Sequence, residues 1–553
     1  VVANTFWALL GLGCLTGAIP AIRYKKAVAF LVWLAAGVLF FGFIRHMLLG
    51  GEGGFSFRWL EYQSLHVDIS LSSSAAAYAQ IFPVFLLSWI ALLVAVFNAD
   101  EADKTRFMGM VLLNLCAFFL LICSDNLIQL LISSCLITTI GFYIINDTEA
   151  RRKYVFYNLL ADMFLFTVFA VIYGSLGNLG LEQLEKFEEM GAHRDLVAFL
   201  LVSGVFLKSG LFLFHNQLLD LSSLHFNRMI YMLNASTPLA GLIILAKTQV
   251  LLSASGYAAP LIQILSVLTL VWAALNAMVM DNIKERAVYY TMMFYAYIYI
   301  LISLNHLELY TQLPLLVICA YLLNLNICLI YQASSYELYA SKMGGFISGM
   351  RFTFVLSLFA VFVILQTVLG HCTETIYHCG TVFAVFMLIA LAHLYHQVYF
   401  GEKKADERVM ALLRNPAWYL LIPAIIIAAA LVWLNHYWPA RIFYVYAGFL
   451  LLIVVYPFRK LENLAELEAL QEEDYFEKLY NAVIITPIKI LGRILWLLVD
   501  FILIERTIIS SLNQGTALLI RAAGWINSPS AWRWLALSVF GIGAMFLCYY
   551  VRR

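Results

Sequence analysis

The residue whose type and setting could do chemistry is a lysine. The stretch LVSGVFLKSGLFLFHNQLLD, ending at Asp220, places Lys208 inside an apolar run long enough to cross a bilayer. An ammonium at that depth costs about 2.5–3.5 kcal/mol on insertion scales, so it normally faces protein or water rather than lipid. Lysines in such surroundings can load and release a proton, which is one use for Lys208. The plainer use is a pair with one buried carboxylate that holds two helices in register. On the residues alone the two readings stand level. His215, Asn216, Gln217 and Asp220 follow as a polar tail, as though the helix leaves the membrane or breaks there.

The rest of the chain must position that lysine. Of its 553 residues 63% are hydrophobic and 12% charged, which excludes an ordinary soluble domain and points to an all-α polytopic membrane protein. The formal net charge of +1 suggests neither nucleic acid nor an acidic partner. Nine cysteines lie mostly in apolar runs, and Cys372 and Cys379 with His371 and His378 have no metal-ligand spacing, so neither disulfides nor a metal are expected. No Gly-rich nucleotide loop, iron–sulfur cysteine set or flavin site is present in the sequence. The first run lacks a charged n-region and a cleavage site and is expected to be a retained span.

Apolar runs of spanning length recur near 3–20, 27–48, 78–98, 106–123, 126–146, 154–174, 196–215, 228–252, 259–280, 287–304, 312–333, 350–370, 379–400, 415–435, 440–457 and 530–550. They predict about 16 transmembrane helices. Between the second and third, FSFRWLEYQSLHVDISLSS alternates as a small extramembrane hairpin would. The loop GSLGNLGLEQLEKFEEMGAHRD reads as a short surface helix. Basic residues fall in alternate loops: Arg23, Lys25 and Lys26; Arg151, Arg152 and Lys153; Lys284 and Arg286; Lys403, Lys404, Arg408 and Arg414. By the positive-inside rule those loops are cytoplasmic and the N-terminus lies outside. After the acidic stretch LENLAELEALQEED, Lys489, Arg493, Asp500, Glu505 and Arg506 recur too often for a lipid-buried span. They suit a lateral helix lying along the membrane, and about fifty residues at 1.5 Å each would reach roughly 75 Å. The competing reading is one more spanning helix at 485–504.

Three stretches together resemble the large antiporter-like subunit, subunit L, of bacterial NADH:quinone oxidoreductase, respiratory complex I. They are KSGLFLFHNQLLD at 208–220, DNIKERAVYYT at 281–291, and a C-terminal section opening YFEKLYNAVIITPIKIL and ending on SAWRWLALSVFGIGAMF. Weaker echoes are SDNLIQLL at 124–131, SKMGGF at 341–346 and LYHQVYFGEK at 394–403. The resemblance covers nearly the whole chain in order. It implies two inverted five-helix repeats, each with one interrupted helix whose ends offer polar sites near the midplane.

The implied organisation is N-terminal helices and hairpin over 1–105, a first repeat over 106–258 and a second over 259–413. Additional helices and an acidic linker follow over 414–472, then the lateral helix over 473–528 and a final span over 529–553.

Residue by residue, the resemblance makes Lys208 the seventh-helix lysine, with His215 and Asp220 at the family spacing. Asp162 falls on the sixth-helix aspartate, Lys247 stands in for a basic residue ending the eighth helix, and Lys284 for the lysine of the loop between the ninth and tenth. The chain also departs from the family. The fifth-helix glutamate is replaced by Cys135 or Ser134, the eighth-helix histidine by Leu233 or Asn234, and the eleventh run has only Asn324 and Asn326 where a lysine is expected. The twelfth-run lysine falls at about Thr373, beside Glu374, and the prolines that help break the seventh and twelfth helices are missing. Without the glutamate, Asp162 is the candidate partner for Lys208, because their runs are chain neighbours. His393 and His396 read as solvated at an interface end of the thirteenth run, and Asp281 and Glu285 as local partners of Lys284 and Arg286.

Two function classes follow. One is transport of protons or sodium, coupled to redox work by other subunits; the other is a structural subunit that ties an assembly together through the lateral helix. The missing groups favour the second for this chain's own contribution. The resemblance implies sibling antiporter-like partners in a bacterial inner membrane, with NADH, FMN, iron–sulfur clusters and quinone held by partner subunits. Two related assemblies, the multisubunit Mrp sodium/proton antiporter and an inorganic-carbon uptake complex, remain as alternatives. The lateral helix speaks against carbon uptake, and an end after the sixteenth run leans towards complex I over Mrp.

Overall fold

The computed structural model describes residues 2–18, 26–49, 53–62, 65–97, 104–177, 179–182, 184, 193–212, 214–253, 255–304, 309–334, 336–370, 374–400 and 418–434, with Val445, Tyr446, Leu450 and Ile490 besides. The helices are α1 (Val2–Ala18), α2 (Lys26–Leu48), α3 (Ala75–Phe97), α4 (Lys104–Ile122), α5 (Leu127–Ile144), α6 (Thr148–Leu176), α7 (His193–Ser209) and the short α8 (Asn216–Leu219). Then come α9 (Phe226–Asn234), α10 (Thr237–Lys247), α11 (Gln249–Ser253), α12 (Ala258–Val279), α13 (Ile283–Ser303), α14 (Leu309–Ala333), α15 (Arg351–Gly370), α16 (Glu374–Tyr395) and α17 (Trp418–Leu434). Runs one to fourteen each meet one or more of these helices, and among the described residues ten helices are long and apolar enough to cross a membrane. Most of the fifteenth run, the sixteenth run, all but Ile490 of the expected lateral helix at 473–528, and most of the surface helix expected after α6 lie outside the described residues.

The expected hairpin is present, with β1 (Gly53–Tyr62) antiparallel to β2 (Leu65–Ser73) and an irregularity between Arg58 and Leu60. Side chains at the α4–α5 link hold it in place. Gln129 donates to the Ser70 carbonyl at 2.8 Å and accepts from the Ser70 amide at 2.9 Å, while the Ser70 hydroxyl donates to the Cys123 carbonyl at 3.0 Å.

Two tight junctions share one hydrogen-bond pattern. At the first, Asp125-Asn126 precedes α5, the Leu127 amide donates to the Leu179 carbonyl at 2.9 Å and the Leu181 amide to the Asp125 carbonyl at 2.9 Å. At the second, Asp281-Asn282 precedes α13, the Ile283 amide donates to the Leu338 carbonyl at 2.9 Å and the Ala340 amide to the Asp281 carbonyl at 2.9 Å. Each asparagine caps its helix by accepting a backbone N–H, from Gln129 and Lys284 respectively. A free amide in hydrocarbon costs several kcal/mol, so these interlocking caps let the chain turn without orphaned groups.

Breaks occur in the middle of the bundle. α7 stops at Ser209, Gly210 takes a left-handed φ of 62°, and the chain resumes helix only at Asn216. A Cβ on Gly210 would sit 2.6 Å from Leu218 Cγ, so both conformation and space require glycine. The eighth run, expected as one helix, is broken too: α9 ends at Asn234, and α10 starts at Thr237 with Pro238 in its first turn. Proline fits there because its missing N–H would have had no partner in the helix. In the second half α15 runs unbroken over 20 residues, so the interruption implied for that helix does not fall within it. It has neither an internal proline nor an internal glycine to make one.

Candidate functional site

The candidate site forms where α5, α6 and α7 meet. Lys208, one residue from the broken end of α7, is fully buried, and its Nζ lies 2.7 Å from Asp162 Oδ1 on α6. From α5, Thr138 accepts from Lys208 Nζ at 3.0 Å and lies 3.0 Å from Asp162 Oδ2, to which its hydroxyl donates. Ser134, one turn earlier, donates to Asp162 Oδ1 at 2.6 Å. Ser134 and Thr138 are four residues apart and share a helix face, which explains why both reach one carboxylate. Ser134 therefore supplies the hydroxyl that meets the pair, with the half-buried Cys135 beside Asp162. The arrangement meets the condition for burying ions, with opposite charge and hydrogen bonds supplied together. The end of α7 helps, because the aligned peptide dipoles place partial negative charge at a helix C-terminus, which favours a cation.

The break beyond Lys208 is closed by side chains. Gln217 of α8 donates to the Leu207 carbonyl and accepts from Asn158 Nδ2 at 3.2 Å. Thr269 of α12 accepts from the Phe212 amide at 3.1 Å. Ser209 donates to the Pro238 carbonyl at 3.2 Å and is bonded to the Tyr299 hydroxyl of α13, which joins the break in α7 to the second half. Gln217 and Ser209 belong to the KSGLFLFHNQLLD stretch, whereas Asn158, Thr269 and Tyr299 are marked by neither charge nor family position. Their signal in the sequence is weak, since single Gln, Ser, Thr and Tyr residues abound in such runs.

The other sequence-derived residues are dispersed. His215 is buried before α8, its ring 6.1 Å from that of Trp272. Asp220 lies on the far side of α8 and pairs with Lys153 of α6 at 3.1 Å. Lys247 donates to the Ser124 carbonyl at 2.8 Å at the end of α10. Lys284 donates to the Leu224 carbonyl at 2.8 Å and lies 5.5 Å from the centre of the Tyr331 ring. Glu374 opens α16, and Thr373 lies outside the described residues.

Two expectations need correction. Asp281 does not serve Lys284: it accepts from the Ser341 amide at 2.7 Å and from the Ser341 hydroxyl, while Lys284 and Arg286 turn to the carbonyls of Leu224 and Met280. Asp281 is committed to the junction that starts α13, and its interaction with Arg286 is one of charge at a distance rather than a direct ion pair. His393 is buried rather than solvated, because α16 continues into a π turn (His396–Phe400) that keeps this end covered.

The second half has amides and hydroxyls where the first has charges. Asn324 of α14 donates to Thr291 of α13 at 2.8 Å, and Asn326 donates to its own helix at the Leu322 carbonyl, 2.9 Å. Tyrosines stitch α13 to its neighbours: Tyr290 donates to the Ala390 carbonyl at 3.1 Å and Tyr295 to the Leu233 carbonyl at 3.0 Å.

A bundle of apolar helices, with a lysine–aspartate pair at one broken helix, defines a polytopic membrane protein with buried ionic machinery. Comparison with known proteins gives the class a family. The family model for "NADH:quinone oxidoreductase/Mrp antiporter, TM" matches residues 112–395, and the chain belongs to this family. It is 23% identical over 266 residues to NADH-quinone oxidoreductase subunit L of Buchnera aphidicola subsp. Schizaphis graminum, covering 45% of this chain and 43% of that one. It is 22% identical over 304 residues to the subunit L of Buchnera aphidicola subsp. Baizongia pistaciae, covering 52% of this chain and 49% of the relative. The match thus spans about half the length of either relative. In fold, a chain of the Mrp complex from a Dietzia species is similar with a TM-score of 0.68 at 13% identity, over 100% of this chain and 63% of that one. A chain of the membrane-bound sulfane sulfur reductase, an archaeal respiratory membrane complex, is similar with a TM-score of 0.64 at 16% identity, over 77% and 75%.

Proposed function

We propose that the chain is a membrane-arm subunit of a proton-translocating complex of the NADH:quinone oxidoreductase type, whose own proton path is interrupted. Its contribution is to hold the assembly together, the lateral helix at 473–528 clamping neighbouring antiporter-like subunits. Lys208 and Asp162 then act as a fixed ion pair that locks α5, α6 and α7 in register. Redox chemistry, with its NADH, flavin, iron–sulfur clusters and quinone, belongs to partners. The location is a bacterial inner membrane with the N-terminus outside. The matched junctions at Asn126 and Asn282 support a two-repeat organisation.

One observation carries the reading. The first half has a carboxylate bonded to its lysine, whereas beyond their first turns α13, α14 and α15 contain no Asp, Glu, Lys, Arg or His. A route across the membrane needs titratable groups or water close enough to pass charge on, and this stretch offers no charged carrier. A second reading, the large subunit of an Mrp-type sodium/proton antiporter, is favoured by the fold likeness to a chain of the Mrp complex over the whole of this chain.

Pull-down of the tagged chain in mild detergent, with partners identified by mass spectrometry, separates these readings. Flavin and iron–sulfur subunits with sibling antiporter-like chains are expected. Small hydrophobic partners alone would favour the Mrp reading. One large soluble zinc protein would favour the inorganic-carbon uptake complex and remove the redox half of the proposal.

A further inference from the structure

Away from the Lys208 region, a groove of about 620 Å³ runs between α1 and α2. Its wall changes character along its length. Asn4 and Thr5 of α1 meet Arg45 and His46 of α2 at one end, and Ala8, Val38, Leu39 and Gly42 line the remainder. Arg45 is exposed, and among the described residues its guanidinium has no carboxylate partner. The His46 ring lies 5.9 Å from that of Tyr78, edge to face. Gly42 keeps the groove open: a Cβ there would meet nothing within 4 Å.

The apolar part is continuous with a surface that faces outward. Val38 is 72% exposed, and Leu34 and Leu31, one and two turns further from the basic end, are exposed on the same face, as suits a helix face turned to lipid. From Val38 to Arg45, at 1.5 Å per residue, the groove follows about 10 Å of helix. That lies within the roughly 15 Å depth of one leaflet of a 30 Å hydrocarbon core. A basic end with hydrogen-bond donors, beside an apolar trench that lies within one leaflet, fits an occupant with an anionic head and a hydrocarbon tail.

We propose that this groove binds an anionic phospholipid. Its phosphate sits between Arg45 and His46, with Asn4 as a further donor, and one acyl chain lies along Val38, Leu39 and Gly42. Arginine suits the phosphate because its planar fork donates to two oxygens at once. Bare phosphate would use only the polar end and leave the trench unexplained.

The test uses the full chain purified in its membrane assembly, delipidated and offered phosphatidylglycerol or phosphatidylcholine, with retained lipid counted by native mass spectrometry. Phosphatidylglycerol is expected to be retained in preference to phosphatidylcholine. Arg45→Ala and His46→Ala should weaken that retention, by about fivefold for the arginine charge. Gly42→Phe should abolish retention by filling the trench, whereas Gly174→Phe, at an exposed position of α6 where a Cβ also meets nothing within 4 Å, should leave it intact. Equal retention of the two lipids, or retention unchanged in Arg45→Ala and Gly42→Phe, would overturn the proposal. Displacement by soluble glycerol phosphate as effective as by the lipid would overturn it too, as would a photo-crosslinker at Val38 that captures protein instead of lipid.

Discussion

The two halves of the bundle start alike and end differently. Asp125-Asn126 before α5 and Asp281-Asn282 before α13 make the same pair of backbone hydrogen bonds to the loops that follow α6 and α14. From matching junctions, α5 and α6 present Ser134, Thr138 and Asp162 to Lys208, while α13 and α14 present Thr291 to Asn324. The halves share a way of turning the chain without stranding amides. They differ in what the helix interiors hold. A buried charge needs a full set of partners, so losing one member makes the others a liability. Beyond the first turns of α13, α14 and α15 the second half carries no such set among its described residues, and the polar contacts of those helix interiors are neutral.

The largest test of that contrast is to unpair the first half. Lys208→Ala leaves Asp162 buried without its counter-charge, and Asp162→Ala does the same to the lysine; each should cost about 3–5 kcal/mol. The expected readout is loss of the chain from the purified complex. The double variant Lys208→Met, Asp162→Leu removes both charges and should recover most of the assembled protein, because matched apolar replacement of a buried pair is often neutral.

The converse experiment puts a charge into the neutral half. Asn324→Lys should destabilise by about 2.5–3.5 kcal/mol, the cost of a basic residue at a helix centre without a partner. Adding Thr291→Asp supplies a carboxylate at the position that bonds Asn324, and the thermal midpoint of the complex should rise again. If Asn324→Lys alone is harmless, this half is wetter than its contacts indicate.

A smaller effect is expected at the break. Gly210→Ala forces a side chain into a left-handed conformation against Leu218 and should lower stability by about 1–3 kcal/mol, read as a lower midpoint of thermal unfolding. The smallest concerns the link between halves. Tyr299→Phe removes the hydroxyl bonded to Ser209 and should cost about 1 kcal/mol, with assembly otherwise normal.

Hydropathy located the helices because burial in lipid demands long apolar runs, and Lys208 stood out because charge in such a run is rare. Asp162 followed from its place on the preceding run, and the structure puts the two in contact. The break after Asn234 was missed, although Ser236-Thr237-Pro238 has the composition of a helix start. Hydropathy runs across it unchanged, since Ala235 and Leu239 are as apolar as their neighbours. The choice between Ser134 and Cys135 depended on helix phase, which a near-uniformly apolar run does not reveal. The tyrosine bonds of Tyr290 and Tyr295 join residues far apart in sequence, and no local pattern marks them. His393 was misread because a histidine near a span end looks solvated until the π turn beyond it is known.

The most direct test is proton translocation per electron, measured in proteoliposomes holding the assembled complex with the Lys208→Met, Asp162→Leu chain. A fixed pair in an interrupted path predicts the same stoichiometry as the unaltered complex. Normal assembly with a lower stoichiometry would make the pair a carrier and contradict the account.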